Sequence, residues 1–253
     1  MSDRLEALRA SAAHLAEVAA PLTGEQLRQQ AYPTEWTVAD TLSHLGSGAV
    51  IMRTGFERAI AGEESDSSFM QGVWDEWNAK SPEDQAAGVV EADAALLAAL
   101  DATDDAARAS FTFPMGPMQL DFDSFLGLRL NEHALHTWDV ETAFVSDAKV
   151  LPVAVPEVLG TLTMIAGFSA KASGEPRTIR IATSEPDEAF DLAVGAEKAS
   201  LASAAEDGAA DASIELPAEA FVRLVYGRLD PDHAPAGAEG PVLDDLRTVF
   251  PGF

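Results

Sequence analysis

The sequence predicts a helical N-terminal domain, a four-helix bundle, followed by a smaller α+β domain. Three observations support this fold class. Apolar residues recur at helical spacing through residues 1–145, whereas apolar and polar residues alternate with period two in several later segments. Between the two patterns lies SDAKVLPVAVP, a stretch with two prolines that reads as a linker. We therefore place the domains at residues 1–148 and 153–253.

The first two helices are predicted from periodicity and from a helix start signal. The apolar positions of the first helix are Leu5, Leu8, Ala12, Leu15 and Val18. Thr37 is a suitable N-cap, and Asp40 follows three residues later as an acidic variant of the capping box. These signals place the second helix at residues 38–61.

The third helix, residues 81–102, begins with a serine N-cap, a proline at the first helical position and two acidic residues. The segment FTFPMGPMQLDF is interrupted by proline and glycine and predicts a loop or a short hairpin. The fourth helix follows at residues 123–144. Four long helices with moderate connections predict an antiparallel bundle.

The C-terminal part mixes both periodicities. Residues 156–172 have a helical pattern, and TIRIATS, AFDLAVG and ASIELP are strand candidates. Between the last two lies ASAAEDGAADA, which we interpret as a short loop. Pro217 opens a further helix that Gly227 closes, and a short helix is expected around residues 242–249. This order predicts a small α+β domain.

The composition excludes several function classes. The formal net charge is −26, which disfavours binding to nucleic acid or to anionic membranes. No apolar run has the length of a membrane span, and the first residues lack the pattern of a secretory signal, so we expect a cytoplasmic protein without a membrane partner. The chain has no cysteine, so any metal site must use histidine, aspartate or glutamate.

Five histidines are present, and two of them lie in RLNEHALHTWDVETA. Glu132 and His136 are four residues apart, so a helix presents both on one face, whereas His133 points about 100° away from Glu132. His44 lies among apolar residues of the second predicted helix, which an antiparallel bundle can bring against the fourth. Spacing alone leaves several alternatives open: a metal site, an exposed i, i+4 pair, a satisfied core histidine, and a pairing of His133 with His136.

Two segments carry a resemblance to a known family. WTVADTLSHLGSGA and RLNEHALHTWDVETA resemble the mycothiol-dependent maleylpyruvate isomerase family, which belongs to the DinB-like metal-binding bundles. The matching residues are Trp36, Thr37, Val38, Asp40 and His44 in the first segment, and Arg129, Glu132, His136 and Asp139 in the second. The resemblance implies that His44, Glu132 and His136 bind zinc or another divalent metal.

The second half resembles the sterol-carrier-like domain of the same family, most clearly at FVRLVYGRLDP. In that family an arginine of this region contacts the carboxylated substrate, which implies a catalytic role for Arg228. From His136 the sequence continues as HTWDVETA, whereas relatives often have a second aromatic or histidine-rich run there. At this point the sequence departs from the family pattern. Asp40 and Asp139 are candidates for orienting the histidine ligands, and Arg129 for pairing with Glu132 or an anion.

The resemblance implies an enzyme that uses mycothiol as its cosubstrate. A metal-bound thiolate would add to an electrophilic small molecule, and its later departure would make the protein an isomerase. If the sulfur stayed attached, the protein would be a mycothiol S-transferase. A metal-dependent hydrolase and a non-enzymatic metal-binding regulatory protein are further alternatives. Either a monomer or a small homo-oligomer is expected.

Overall fold

The structure is a computed structural model that describes residues 3–64, 66–116 and 118–252. It divides the chain into two compact units, Met1–Ala154 and Val155–Phe253. Helices dominate the first unit, and the second combines helices with a four-stranded sheet. The predicted order, a helical part followed by an α+β part, is confirmed.

The first unit contains four long helices and three short ones among its described residues. They are α1 (Asp3–Ala19), α2 (Gly24–Leu27), α3 (Val38–Ile60), α4 (Met70–Asn78), α5 (Pro82–Ala102), α6 (Asp105–Ser110) and α7 (Phe122–Glu141). The long helices contact one another in a cycle, since α3 packs against α5 and α7, and α1 packs against the same two. The expectation of a plain four-helix bundle is not confirmed, because α2, α4 and α6 belong to the same unit.

The helix α4 lies in a segment for which we predicted no helix. It has nine residues, which is too short for a helix that is stable alone, so its sequence gives little signal. Packing against α3 stabilises it: Trp77 is buried and fills the space beside Gly46, where a Cβ atom would collide with the indole. Of the two alternatives predicted before α7, a loop or a short hairpin, the hairpin forms, from β1 (Phe113–Met115) and β2 (Met118–Leu120).

Side-chain caps fix where the functional helices begin. The Thr37 hydroxyl accepts a hydrogen bond from the backbone N–H of Asp40, whose carboxylate accepts one from the N–H of Thr37, at 3.1 and 2.9 Å. Asp121 caps α7 by accepting from the N–H of Ser124. Each cap satisfies backbone donors that the first turn leaves free, and thereby fixes the residue at which its helix begins.

The core beside the N-cap of α3 is formed mainly by apolar residues from α1, α3, α5 and α7, together with Leu27 of α2 and Ala31. Its fully buried members include Leu15, Val38, Leu42, Leu45, Val89 and Val140. Removal of this apolar surface from water is the main term that holds α3 against α5 and α7. The ligand-bearing parts of α3 and α7 are therefore anchored in a packed region.

The second unit is an α+β fold. Its elements are α8 (Val155–Leu159), α9 (Leu162–Ser169), β3 (Arg177–Ser184), β4 (Glu188–Val194), β5 (Ala199–Ser203), β6 (Ala212–Pro217), α10 (Ala218–Val225), a 3₁₀ turn (Pro231–His233) and α11 (Pro241–Val249). The strand order is β5-β4-β3-β6, with β6 parallel to β3 and the other pairs antiparallel.

Two details of the second unit differ from prediction. The helix expected at residues 156–172 is two shorter helices, interrupted at Gly160, a residue with low helix propensity. The loop expected at residues 202–212 is partly strand, because β5 ends at Ser203. Backbone pairing with β4 supplies the hydrogen bonds of β5, which local composition does not reveal.

Among the described residues, no helix combines the length and the apolarity needed to cross a bilayer.

Candidate metal centre

Three predicted ligand residues come together between α3 and α7. His44 lies about two turns into α3, and Glu132 and His136 lie four residues apart on one face of α7. One donor atom from each residue falls within 4.8 Å of the other two. The Nε2 atom of His44 is 3.0 Å from Oε2 of Glu132, and the Nε2 atom of His136 is 3.6 Å from the same oxygen.

These separations suit a small divalent ion. Zinc binds imidazole nitrogen and carboxylate oxygen at about 2.0–2.2 Å in tetrahedral geometry, so two of its ligand atoms lie roughly 3.3 Å apart. The observed N···O distances of 3.0 and 3.6 Å lie on either side of that value. The chemistry of the donor set, two imidazoles and one carboxylate, also suits zinc. These three residues therefore fit the proposed metal.

The cluster is accessible from outside. The side chain of Glu132 is 48% exposed and that of His44 is 37% exposed, whereas that of His136 is 13% exposed. Three protein ligands with an accessible side leave coordination positions for a water molecule or a substrate. This arrangement differs from a structural zinc site, which the protein closes with four ligands.

Electrostatics keep Glu132 ionised. Partial burial raises the pKa of its carboxyl, but the hydrogen bonds and positive potential of His136 and His44 outweigh burial and lower the pKa well below its ordinary value. At neutral pH the cluster therefore presents a carboxylate anion, which is the form that binds a cation.

Asp139 orients one of the imidazoles. Its carboxylate is fully buried and lies 2.7 Å from Nδ1 of His136. Its backbone carbonyl accepts a hydrogen bond from the N–H of Tyr32, which attaches the loop before α3 to the end of α7. A carboxylate on one ring nitrogen leaves the other, Nε2, to face Glu132. Asp40, the other acid suggested for this role, instead belongs to the capping box of α3.

The indole ring of Trp36 lies beside the imidazole rings of His44 and His136. The centroid of its ring lies 5.0 Å from that of His44 and 5.6 Å from that of His136, with the indole stacked on the latter. Trp36 immediately precedes the N-cap of α3, so the cap that starts the helix also places the indole at the cluster. The indole limits the side from which a ligand can approach.

His133 is not part of the cluster. It is fully buried, with Nε2 at 2.9 Å from Oδ2 of Asp93 and Nδ1 at 2.8 Å from Oγ of Ser11. Burial lowers the pKa of its imidazole, although Asp93 opposes this change. The alternative pairing of His133 with His136 at one metal is therefore wrong for this geometry.

Arg129 pairs with Asp93 and not with Glu132 as suggested from sequence. Its Nη2 atom is 2.6 Å from Oδ1 of Asp93, and both side chains are buried. Sequence reasoning missed Asp93, although a signal was present: it lies on the apolar stripe of α5 with Val89 and Leu96, where a charged residue needs a buried partner.

Arg228, the predicted catalytic residue, lies in the second unit. It follows Gly227, whose backbone φ of +70° ends the helix as predicted. Arg228 is 9% exposed, and its Nη1 atom donates to the backbone carbonyl of Tyr226 at 3.0 Å. The guanidinium also lies 6.0 Å from the centroid of the Tyr226 ring.

The remaining histidines make separate contacts. His14 on α1 is 3.0 Å from a carboxylate oxygen of Glu141 at the end of α7, and His233 contacts Asp230, the N-cap of the 3₁₀ turn. Sequence assigned neither a function.

Comparisons with known proteins agree with this architecture. The family model described as the mycothiol maleylpyruvate isomerase N-terminal domain matches residues 8–141. A crystal structure of the mycothiol-dependent maleylpyruvate isomerase shares the fold with a TM-score of 0.69 over 95% of both chains, at 16% identity. A histidine-to-alanine mutant of that enzyme gives the same score and coverage at 15% identity. A search of curated proteins found no match.

Proposed function

The chain belongs to the mycothiol maleylpyruvate isomerase family, and on that premise we propose that it is a zinc-dependent, mycothiol-dependent enzyme acting on an electrophilic small molecule. Maleylpyruvate isomerisation is the reaction that we propose first. The mutual contacts of α1, α3, α5 and α7 support the finer description of the helical unit as a DinB-like four-helix bundle.

The observation that carries the proposal is the convergence of His44, Glu132 and His136 on one accessible point. The family match alone does not require a metal, whereas two imidazoles and an ionised carboxylate at coordination spacing favour one. The buried carboxylate of Asp139 adds a feature typical of metal-binding histidines.

Each residue has a distinct part in this proposal. When bound, zinc would stabilise the thiolate form of a coordinating thiol near neutral pH. Glu132 supplies the negative charge that offsets the ion, and Asp139 holds the Nδ1–H of His136 so that Nε2 keeps its lone pair. Because the chain has no cysteine, the thiol must come from a small molecule such as mycothiol.

The proposed chemistry requires no redox partner. The mycothiol sulfur forms a bond to one alkene carbon while the π electrons move toward the conjugated carbonyl. Rotation about the resulting single bond and departure of the sulfur restore the double bond with the other geometry. If the carbon is protonated and the sulfur stays, the same residues give a mycothiol S-transferase, which we retain as the alternative.

Arg228 is the residue that we propose for binding a substrate carboxylate, since a guanidinium offers two parallel donors to such a group. Its burial and its bond to the Tyr226 carbonyl supply a second, structural role. Substrate and thiol would be the partners of the protein, and the acidic surface disfavours nucleic acid.

The experiment combines metal content, thiol binding and turnover. Elemental analysis of the purified protein should find about one zinc per chain. Calorimetric titration with mycothiol should show binding to the zinc form and none to the chelated form. Turnover of maleylpyruvate with catalytic mycothiol supports the isomerase, whereas stoichiometric consumption of mycothiol by an electrophile supports the transferase.

Two histidine variants test the ligand set. His44→Ala should lose zinc and mycothiol binding together, because it removes one of three protein ligands. His14→Ala is the matched control, since His14 contacts Glu141 at the end of α7 and is not one of the three proposed ligands. Full zinc affinity in His44→Ala, or metal-independent mycothiol binding, contradicts the proposal. Zinc binding without any thiol affinity favours a non-enzymatic role.

A further inference from the structure

A buried polar network connects all four long helices of the first unit. The Ser11 hydroxyl on α1 contacts His133 on α7, and His133 contacts Asp93 on α5, at 2.8 and 2.9 Å. Asp93 also accepts from Arg129 on α7, whose Nη2 atom donates in addition to the backbone carbonyl of Leu45 on α3, at 3.0 Å. Each of these side chains is buried.

The network lies at the level of the proposed ligands. Leu45, whose carbonyl accepts from Arg129, is the residue after His44. Arg129 precedes Glu132 by three residues, or just under one helical turn, and so lies on a neighbouring part of the same helix. A single guanidinium therefore joins α3 and α7 beside the points where each helix carries a ligand.

The shape of α3 makes room for this guanidinium. Gly48 is one turn after His44, and a Cβ atom there would lie 3.2 Å from Nη1 of Arg129. The glycine thus allows the arginine to approach the backbone of α3 closely enough to reach the Leu45 carbonyl.

Stability alone is a weak explanation for such an arrangement. Burial of a carboxylate and a guanidinium loses their hydration, and well-packed apolar residues often stabilise a core equally well. A buried ion pair of fixed geometry does, however, restrict the separation and rotation of the helices that carry it. The benefit of such a restriction is greatest where two helices must present ligands at a distance set by one ion.

We propose that Asp93 and Arg129 are positioning residues that set the distance between His44 on α3 and the Glu132–His136 pair on α7. The inference rests on the proposed function, because it presupposes that these three residues bind a metal. Neither residue contacts the metal or the substrate; both act through the helices that hold the ligands.

Cobalt(II) provides the test, because its visible absorption reports both occupancy and ligand geometry. The full-length protein, freed of metal, is titrated with Co²⁺ alone, as wild type and as Asp93→Asn and Arg129→Lys. Both variants should bind Co²⁺ roughly tenfold more weakly, the lower end of the range for groups that orient ligands, and their absorption bands should shift. Lysine keeps the charge but cannot reach both Asp93 and the Leu45 carbonyl as a planar fork does.

The control is Phe56→Ala, which removes a buried aromatic ring from α3 about 18 Å along the helix from His44. It should lower stability comparably and yet leave the Co²⁺ affinity and spectrum unchanged, provided that urea titrations show all proteins to be folded during the measurement. A merely structural network would behave like this control. Wild-type affinity and spectrum in folded Asp93→Asn and Arg129→Lys overturn the inference and leave the proposed function standing.

A further variant avoids the risk that these substitutions prevent folding. Gly48→Ala replaces glycine by a better helix former, while its methyl group, 3.2 Å from Nη1 of Arg129, forces the guanidinium to shift by a few tenths of an ångström. A shifted Co²⁺ spectrum supports the inference, and an unchanged one overturns it if the other variants do not fold. Absence of Co²⁺ and zinc binding in the wild type contradicts the proposed function itself, and the inference with it.

Discussion

The imidazole of His136 donates its Nδ1–H to the buried carboxylate of Asp139, 2.7 Å away on the next turn of α7. This bond directs Nε2 toward Glu132, the position from which it can bind a metal. Because Asp139 is fully buried and its backbone carbonyl also holds the Tyr32 loop, the orientation of the ring is built into the core.

Asp139→Asn should lower zinc affinity about 10- to 100-fold, because the amide no longer fixes the tautomer and orientation of His136. Competition with a chromophoric chelator measures the affinity. Asp40→Asn is the matched control, since Asp40 contributes to the cap of α3 and does not contact the histidines. Equal zinc affinities for the two variants would contradict the role given to Asp139.

Asp93 should make stability depend on pH in the acid range. Burial raises the pKa of its carboxyl, but His133 and Arg129 outweigh burial and lower it from 3.8 to about 2. A carboxyl whose pKa is lower when folded stabilises the protein fully above its unfolded pKa, and this contribution disappears as pH falls through its folded pKa. The loss should therefore occur between about pH 4 and pH 2 and amount to roughly 2 kcal/mol.

Urea unfolding of the metal-free protein checks this expectation. Asp93→Asn should be less stable than wild type at pH 7, and the difference in unfolding free energy should narrow as the pH is lowered below about 4. The control is Asp123→Asn, because Asp123 forms a more exposed ion pair with Arg4. This variant should change the pH dependence of the unfolding free energy much less. If the difference in unfolding free energy between wild type and Asp93→Asn stays constant down to pH 2, the pKa of Asp93 is not lowered.

Trp36 should report metal binding by fluorescence. Its ring lies about as close to the ligand imidazoles as they lie to each other, so Co²⁺ at the cluster should quench its emission. Trp36→Phe should remove the largest part of the metal-dependent change and keep most of the binding. Trp74→Phe is the control, because Trp74 lies on α4, which carries none of the proposed ligands, and its side chain is partly exposed. Quenching that survives in Trp36→Phe unchanged would place the metal elsewhere.

Arg228→Lys should separate substrate binding from structure. If Arg228 binds a substrate carboxylate, KM should rise about tenfold or more while kcat changes less, since a hydrogen bond to a charged group contributes about 1.5–3 kcal/mol. The control is Arg180→Lys, another arginine of the second unit, which pairs with Asp191 on β4. A lower unfolding free energy with unchanged KM would assign Arg228 a structural role through the Tyr226 carbonyl.

Local signals allowed much of the fold to be predicted. Thr37 and Ser81 cap the helices that they were expected to start. In the strands at residues 178–184 and 189–194, buried positions alternate with half-buried or exposed ones. The signals failed where an element depends on its neighbours. The helix α4 is stabilised by packing of Trp77, and β5 by pairing with β4, and neither interaction is visible in a short window of sequence.

In the candidate site, too, features set by local sequence were predictable and features set by contacts between helices were not. The period of the helix brings Glu132 and His136 to one face of α7, so their pairing was predictable from four residues of spacing. The choice between Glu132 and His133 as the partner of His136 was not, because it depends on whether His133 meets Asp93 and Ser11 from other helices. Nor was the partner of Arg129, which lies 36 residues away in the chain.

The amino-acid sequence by itself determined where α3, α5 and α7 begin, which residues share a helical face and which chemical groups are available to bind a cation. Those properties follow from interactions over a few residues, such as capping bonds and the 3.6-residue period. Only the tertiary structure decided that His44 meets Glu132 across two helices, that Asp139 orients His136, and that Asp93 joins Arg129 to His133. These contacts depend on how separate helices pack together, since burial without a partner would leave each polar group unsatisfied.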